Sequence, residues 1–426
     1  MTKSWPLILF FSVSAFAELP SLTPGRLAEA IVLAPQEGNT AEDQEISRWQ
    51  ERVRAIEAKP EFFERLGWAY VAKARRMLDA GYYKLAEKTA DAMDARFGVS
   101  SESALLRGTV LHNLHRFREA EAIARQLVAQ RGNSSDLALL SDALMEQGKL
   151  SESIEALRQL VNARPGLEAY SRIAHLRWLK GDLPGAISMM ESAARAGNPQ
   201  DAEAQAWGYS RLSFFYLQSD QTALALSAAE LSLKRVPQFP PALLARGRVL
   251  VALGKNEEAI APLRRAAEIN PLPEYQWWLA DTLRAASRGD EARAVEAQLR
   301  ERGAAADPRT YALFLATRGE NLDEATAISR VELETRADVF SRDAVAWALA
   351  AKGEYSAAND QIQPALTEGT KDARLFLHAG VIARAVGQTE KARTLFAEAA
   401  RIDRTLMPSE RELLARDAAA TVARAE

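Results

Sequence analysis

Small residues repeat along most of the chain with a period of about 34 residues. A turn residue, most often glycine, is followed five residues later by a small residue, most often alanine. The ten turn positions are Gly81, His115, Gly148, Gly181, Asp220, Gly254, Ser287, Glu320, Gly353 and Gly387. Because a fixed period of this length is typical of stacked structural repeats, the pattern predicts about ten copies of one supersecondary unit.

A second small position lies seven residues before each turn. It is occupied by Ala74, Gly108, Ser141, Ala174, Ser213, Gly247, Ala280, Leu313, Ala346 and Gly380, of which only Leu313 is large. Two antiparallel helices joined by a tight turn approach closely only where both carry small side chains. Large apolar residues recur at helical spacing around these positions, as in Leu140, Leu144 and Leu157. Each repeat is therefore predicted to be a helix-turn-helix hairpin.

The pattern resembles the tetratricopeptide repeat family, which has small residues on both helices, glycine at the turn and proline after the second helix. The resemblance covers roughly Phe62 to Arg404. It implies an all-α fold: a right-handed superhelical solenoid of about ten helix-turn-helix repeats with capping helices. The exported tetratricopeptide proteins of bacteria look most similar, and they imply scaffolding or assembly in the cell envelope.

The ends of the chain predict four segments. Residues 1–17 resemble a signal peptide, because Lys3 precedes an apolar stretch and Ala15-Phe16-Ala17 forms a cleavage site. The alternative is a membrane anchor, although the apolar run of roughly a dozen residues is shorter than the ~20 that a bilayer requires. Residues 18–60 are predicted to form an irregular leader, as far as Asp43, followed by an N-terminal capping helix. Residues 61–404 are predicted to form the solenoid, and residues 405–426 a C-terminal capping helix. We expect an exported protein, periplasmic or extracellular, without stable membrane insertion after signal removal.

Composition excludes several classes of function. The chain has no cysteine, which rules out disulfides, a cysteine nucleophile and thiolate metal sites. Its 54 basic and 57 acidic residues provide no net positive field, so no nucleic-acid partner is predicted. The four histidines form no metal or acid–base set in sequence, and no nucleotide-binding or hydrolase motif is present. We therefore predict no enzyme, no cofactor and no metal site.

In the tetratricopeptide family the first helix of each repeat lines a concave inner wall, and its inward positions can be transferred to this sequence. They give a predicted groove of nine residues: His175, Trp178, Trp207, Ser210, Phe214, Arg248, Trp277, Asp281 and Arg284. Phe314, Phe340 and Trp347 extend the wall in later repeats. Aromatic residues beside arginine are common anchors in protein interfaces. Each aromatic has an alternative interpretation, as part of the core between repeats.

The sequence thus predicts a non-catalytic scaffold or adaptor that acts in the cell envelope and binds a protein partner of unknown identity. An extended or helical segment of the partner would lie in the groove. Two other interpretations stay open at this point. The aromatic residues could mediate self-association into a homo-oligomer, or they could stack on sugar rings of cell-wall polysaccharide.

Overall fold

A computed structural model of the chain describes residues 23–198 and 200–422, so the predicted signal peptide lies outside the described residues. All regular elements within these ranges are helices. They form two compact units, and the boundary falls between Leu114 and His115. None of the described helices combines the length and the hydrophobicity that a membrane span requires.

The described part of the first unit, residues 23–114, contains five helices. They are α1 (Pro24–Val32), α2 (Ala41–Arg54), α3 (Pro60–Met77), α4 (Ala80–Phe97) and α5 (Ser101–Asn113). Helix α1 packs on α4, and α2 packs on α3. The side chains of Gln50 and Tyr70 both donate hydrogen bonds to the Val32 carbonyl, at 2.8 and 2.7 Å, and so tie the end of α1 to α2 and α3.

Helix α1 corrects one expectation, because part of the leader predicted to be irregular is helical. The Thr23 side chain accepts a hydrogen bond from the Arg26 amide and caps α1, and Pro24 occupies the first helical position. Proline is favoured there, since the missing N–H would have no partner within the helix in any case. Pro24 therefore begins a helix within the segment that was predicted to be irregular.

A buried ion pair joins α2 to α3. The Lys73 ammonium lies 2.5 Å from Asp43, and both residues are buried. Asp43 also forms a capping box with Thr40 at the start of α2. The hydrogen bond from Lys73, with those from Thr40, lowers the pKa of Asp43 to about 2.

This pair predicts a pH dependence of stability. A carboxyl group whose pKa is lowered by folding stabilises the fold above its ordinary pKa of 3.8, and that contribution is lost as the pH falls towards 2. We expect Asp43→Asn to flatten the dependence of the unfolding free energy on pH by up to about one proton in this window. Urea denaturation between pH 2 and 5 measures it, and an unchanged slope would contradict the role given to Asp43.

The second unit contains eighteen α-helices and one 3₁₀ helix in the described residues. They are α6 (Phe117–Gln130), α7 (Ser134–Glu146), α8 (Leu150–Ala163), α9 (Leu167–Leu179), α10 (Leu183–Ala196), α11 (Ala202–Gln218), α12 (Thr222–Arg235), α13 (Pro240–Ala252), α14 (Asn256–Ile269), α15 (Pro273–Ala285), α16 (Gly289–Ala306), α17 (Pro308–Arg318), α18 (Leu322–Thr335), α19 (Val339–Ala351), α20 (Tyr355–Thr367), α21 (Ala373–Ala385), α22 (Thr389–Arg401), the 3₁₀ helix Asp403–Thr405 and α23 (Pro408–Val422). Consecutive helices pack as hairpins that stack in series.

The small residues lie where the helices of a hairpin approach each other. The hydroxyls of Ser141 in α7 and Ser153 in α8 are 3.0 Å apart. In the hairpin of α11 and α12, the Ser213 hydroxyl donates to the Ala225 carbonyl at 2.7 Å. Larger side chains at these positions would separate the helices. The predicted fold class, an all-α solenoid of helix-turn-helix repeats, is confirmed.

Eight of the ten predicted turn residues have a positive φ, as expected for the left-handed residue that ends a helix. They are His115, Gly148, Gly181, Asp220, Gly254, Ser287, Gly353 and Gly387. The other two were placed in the wrong register. Gly81 lies inside α4, and Leu78 is the left-handed residue of that turn. In the eighth repeat Gly319 ends α17 in place of Glu320.

The last described elements of the chain pack on earlier helices of the second unit. The 3₁₀ helix packs on α11 and α13, and α23 packs on α15, α21 and α22. At the start of α23 the Glu410 carboxylate accepts a hydrogen bond from the Met407 amide at 2.9 Å. The segment after α22 therefore contacts helices from the middle of the unit as well as its neighbours in sequence.

Candidate functional site

Five of the nine predicted groove residues line one cavity inside the second unit. They are His175, Trp178, Phe214, Arg248 and Trp277, and the volume of the cavity is about 460 Å³. They project from α9, α11, α13 and α15, the first helices of four successive hairpins. The structure thus brings together side chains as far apart in sequence as His175 and Trp277, because the inward-facing positions of stacked repeats lie on the same side.

A smaller groove of about 190 Å³ adjoins the cavity, and we call it the Trp207 groove. Trp207, Ser210, Pro241 and Leu244 contribute to its walls. It shares further walls with the cavity: Arg211, Phe214, Arg248 and Glu274 line both. Trp207 is 39% exposed, whereas Trp178 and Trp277 are 4% and 1% exposed. Of the three predicted groove tryptophans, only Trp207 therefore presents a large accessible surface.

The remaining two predicted residues, Asp281 and Arg284, line neither space. Arg284 donates to Glu296 at 2.7 Å, and Arg318 donates to the same carboxylate at 2.6 Å. Asp281 accepts a hydrogen bond from the Ser409 amide at 2.9 Å and so holds the start of α23. The structure places both residues in polar contacts that join repeats to one another and to the last helix.

The later repeats of the second unit face the inner wall of the earlier ones. The Trp178 ring stacks on Phe340 of α19, with 5.5 Å between ring centroids and 19° between planes. The Thr370 hydroxyl donates to the Leu179 carbonyl at 2.5 Å, and Lys180 pairs with Glu368 at 2.8 Å. Near the end of the chain, Arg404 pairs with Asp220 at 2.7 Å. The chain's own C-terminal repeats therefore cover part of the predicted groove.

Two turn glycines permit this close approach. A Cβ atom at Gly181 would lie 2.3 Å from the Gly369 carbonyl oxygen, and one at Gly148 would lie 2.5 Å from the Ala337 oxygen. Real Cβ atoms do not come this close to backbone oxygen. Both glycines also have positive φ, at 79° and 71°. The turns after α9 and α7 can therefore contact the loops before α21 and α19 only without side chains.

Most charged side chains around the cavity are paired. Arg309 pairs with Asp338 at 2.9 Å, Arg374 pairs with Glu410 at 2.5 Å, and Arg248 lies 3.4 Å from Glu274. Seven acidic residues line the cavity and accept from another side chain or from a helix N-terminus: Glu146, Glu274, Asp307, Asp338, Asp343, Glu368 and Asp372. These carboxylates are thus engaged in contacts within the protein.

Arg211 differs from these arginines. One of its nitrogens lies 3.3 Å from His175 Nδ1, and its guanidinium lies 5.4 to 5.9 Å from the ring centroids of Trp178, Phe214 and Phe215. Within the described ranges of the chain, no carboxylate pairs with it. Burial lowers the pKa of Arg211 to about 10; the nearby Glu274 carboxylate opposes this shift and the Arg248 charge adds to it. The cation therefore stays charged at neutral pH without an ion-pair partner.

His175 is neutral in this environment. Burial and the neighbouring Arg211 charge lower its pKa to about 3. A neutral imidazole can accept a hydrogen bond from the Arg211 guanidinium through Nδ1, which matches their separation. In the part of the chain that the structure describes, no three histidine, aspartate or glutamate side chains cluster as a metal ion would need.

Sequence reasoning missed the arginines of the cavity apart from Arg248. Arg211 follows Ser210 and precedes Phe214 by three residues, so helical periodicity places it on the inner side of α11. That signal was available. Arg309 and Arg374 reach the cavity from later repeats, and the spacing pattern does not indicate which earlier repeat they meet.

The described helical hairpins define the second unit as an α-solenoid with an internal cavity. The family model described as tetratricopeptide repeat matches residues 105–168, 138–202, 216–272 and 244–308. The chain therefore carries tetratricopeptide repeats, as its sequence predicts. These repeats support a general role as a scaffold for protein–protein interaction.

Solved structures with similar helices have low sequence identity to the chain. A tetratricopeptide repeat protein from Parabacteroides merdae is 19% identical over 60% of this chain and 98% of its own, with a TM-score of 0.34. Yeast Tom70 is 15% identical over 90% and 93%, with a TM-score of 0.34. Cut9, from the APC/C Cut9–Hcn1 complex, is 13% identical over 92% and 98%, with a TM-score of 0.38. No curated protein sequence matches the chain.

Proposed function

We propose that the chain is an exported, non-catalytic adaptor that binds a segment of a protein partner in the Trp207 groove. The observation that carries the proposal is the exposed Trp207 ring at a groove whose other walls include Pro241 and Leu244. Tryptophan is enriched among residues that dominate binding energy, because it buries a large area for a small loss of conformational entropy.

The groove also offers polar contacts for orientation. Arg248 and Glu274 lie where the groove meets the cavity, and both can exchange hydrogen bonds with a peptide backbone or a polar side chain. Ser210 is already engaged, since its hydroxyl donates to the Trp207 carbonyl at 2.7 Å. The Trp207 ring would contact a large apolar side chain of the partner, and Arg248 and Glu274 would contact a polar side chain next to it.

Action in the cell envelope rests on the signal-like features of residues 1–17. A partner is therefore to be sought in an envelope fraction. Self-association and polysaccharide binding are the competing functions, because either could use an exposed tryptophan.

The test is site-specific photo-crosslinking in an envelope extract of the source cell. A photoreactive phenylalanine analogue replaces Trp207 in one variant and Tyr355 in the control. Tyr355 is a matched control because it is also aromatic and also 39% exposed. We expect one discrete protein adduct at position 207 and none at position 355. An adduct with a second copy of the chain would support self-association instead, and retention on isolated cell wall without an adduct would support polysaccharide binding.

For the partner so identified, Trp207→Ala is expected to weaken binding by about 30-fold or more, which corresponds to about 2 kcal/mol. Tyr355→Ala should change the dissociation constant less than about twofold. Isothermal titration calorimetry with the purified partner measures both. Equal effects of the two substitutions would remove Trp207 from the interface.

A further inference from the structure

Two tryptophans and an arginine in the wall of the cavity beside the Trp207 groove carry buried N–H groups. Among the described residues, the indole N–H groups of Trp178 and Trp277 have no hydrogen-bond partner, and neither does Nε of Arg248. All three residues line the cavity. A buried donor without an acceptor is unfavourable, and such groups are uncommon in folded proteins.

Arg211 adds a positive charge to these donors. Arg309, Arg336 and Arg374 each have a carboxylate partner, whereas Arg211 has His175 and aromatic rings as its neighbours. Burial of a charge costs free energy that a partner of opposite sign normally offsets. The carboxylates that line the cavity are already engaged with other groups. On the side of the cavity that Arg211 and Arg248 share, the nearby carboxylate is Glu274, which pairs with Arg248. Arg211 is therefore the cation on this side that no carboxylate of the described residues pairs with.

Aromatic side chains form part of the cavity wall. The Trp178 ring is stacked against Phe340 and meets Phe214 edge to face at 5.6 Å. Trp277 contributes a further aromatic wall. A volume of about 460 Å³ lies within the roughly 300–1,000 Å³ of small-molecule sites in proteins.

We propose that the cavity binds a small organic anion, with a carboxylate or phosphate group held by Arg211 and Arg248 and a flat apolar body against Trp178 and Phe214. Charge-assisted hydrogen bonds to a guanidinium fix the anionic end, and the aromatic walls select against an ion without an apolar body. This site goes beyond the adaptor function and does not depend on it.

Isothermal titration calorimetry of the full chain with four probes tests the site. Benzoate and phenyl phosphate carry an anion on a ring, benzamide is a neutral ring of the same shape, and inorganic phosphate lacks the ring. We expect at least one anionic ring compound to bind at least about 10-fold more tightly than benzamide and inorganic phosphate. Benzoate binding alone would indicate a carboxylate ligand, and phenyl phosphate binding alone would indicate a phosphate ligand.

Substitutions locate the binding. Arg211→Met should lower the affinity for the bound probe by at least about 10-fold, and Arg211→Lys should retain part of it because the charge remains. Arg248→Gln is a second variant in case Arg211→Met does not fold, which circular dichroism shows. Arg246→Gln is the matched control, since Arg246 is exposed on the same helix as Arg248. Absence of binding by both anionic rings at millimolar concentration, or equal binding by Arg211→Met and wild type, would overturn the proposal.

Discussion

Trp178→Ala is expected to lower the free energy of unfolding by about 3–5 kcal/mol, the usual cost of truncating a buried tryptophan. Trp178 is 4% exposed, and its ring contacts Phe214, Phe215 and Phe340. The substitution removes contacts within the stacked repeats and also the stacking on α19. The loss therefore affects both the local packing and the closure of the inner wall.

Urea denaturation followed by circular dichroism measures this effect, with Trp207→Ala as the control. Trp207 lies on the next inner helix but is 39% exposed, so its truncation should cost less than about 1 kcal/mol. The two predicted groove tryptophans are thus distinguished by burial, because only Trp178 contributes strongly to the packing of the repeats. Equal and small effects of both substitutions would show that the Trp178 ring is accessible in solution.

Arg374→Met is expected to destabilise the chain by a similar amount, about 3–5 kcal/mol at neutral pH. Its guanidinium lies 2.5 Å from the Glu410 carboxylate, and Glu410 is only 2% exposed. Removal of one partner leaves the other charge buried without compensation. The double substitution Arg374→Met with Glu410→Gln should recover part of the loss, because it removes the uncompensated charge.

The pair of Arg374 and Glu410 also determines how the stability of the fold changes with pH. Burial alone would raise the pKa of Glu410, but the Arg374 charge reverses this and holds the pKa below its usual value of 4.5. In wild type, Glu410 therefore stabilises the fold above that value, and the contribution is lost as the pH falls. In Arg374→Met burial dominates, so protonation relieves the cost. We expect the destabilisation to be smaller at pH 4 than at pH 7 in denaturant titrations, and a larger loss at pH 4 would contradict this account.

The helical hairpins could be predicted because their cause is local in sequence. Small residues such as Ser141 and Ser153 lie on adjacent helices, and left-handed residues such as Gly148 end the first helix of a hairpin. The same regularity placed the inner-facing residues of successive repeats together. The register errors at Gly81 and Glu320 arose where Leu78 and Gly319 adopt the left-handed conformation instead.

The contacts across the inner wall could not be predicted from the repeat. A periodic pattern describes how each hairpin meets its neighbour, but the bond from Thr370 to Leu179 joins residues 191 positions apart. Whether two such residues meet in space depends on the curvature summed over several repeats. The pairing of Trp178 with Phe340, and hence the burial that distinguishes Trp178 from Trp207, depends on the same curvature.

The contacts at Gly148 and Gly181 have a consequence for how the second unit unfolds. In an open array of repeats each hairpin depends only on its neighbours, so the terminal hairpins can unravel independently. Here Thr370 and Arg404 bind turns that precede them by more than half the length of the unit. Fraying of the last hairpins must therefore also release the middle of the array, so melting becomes more all-or-none. Folding is correspondingly slowed, because a long loop must close before these bonds form.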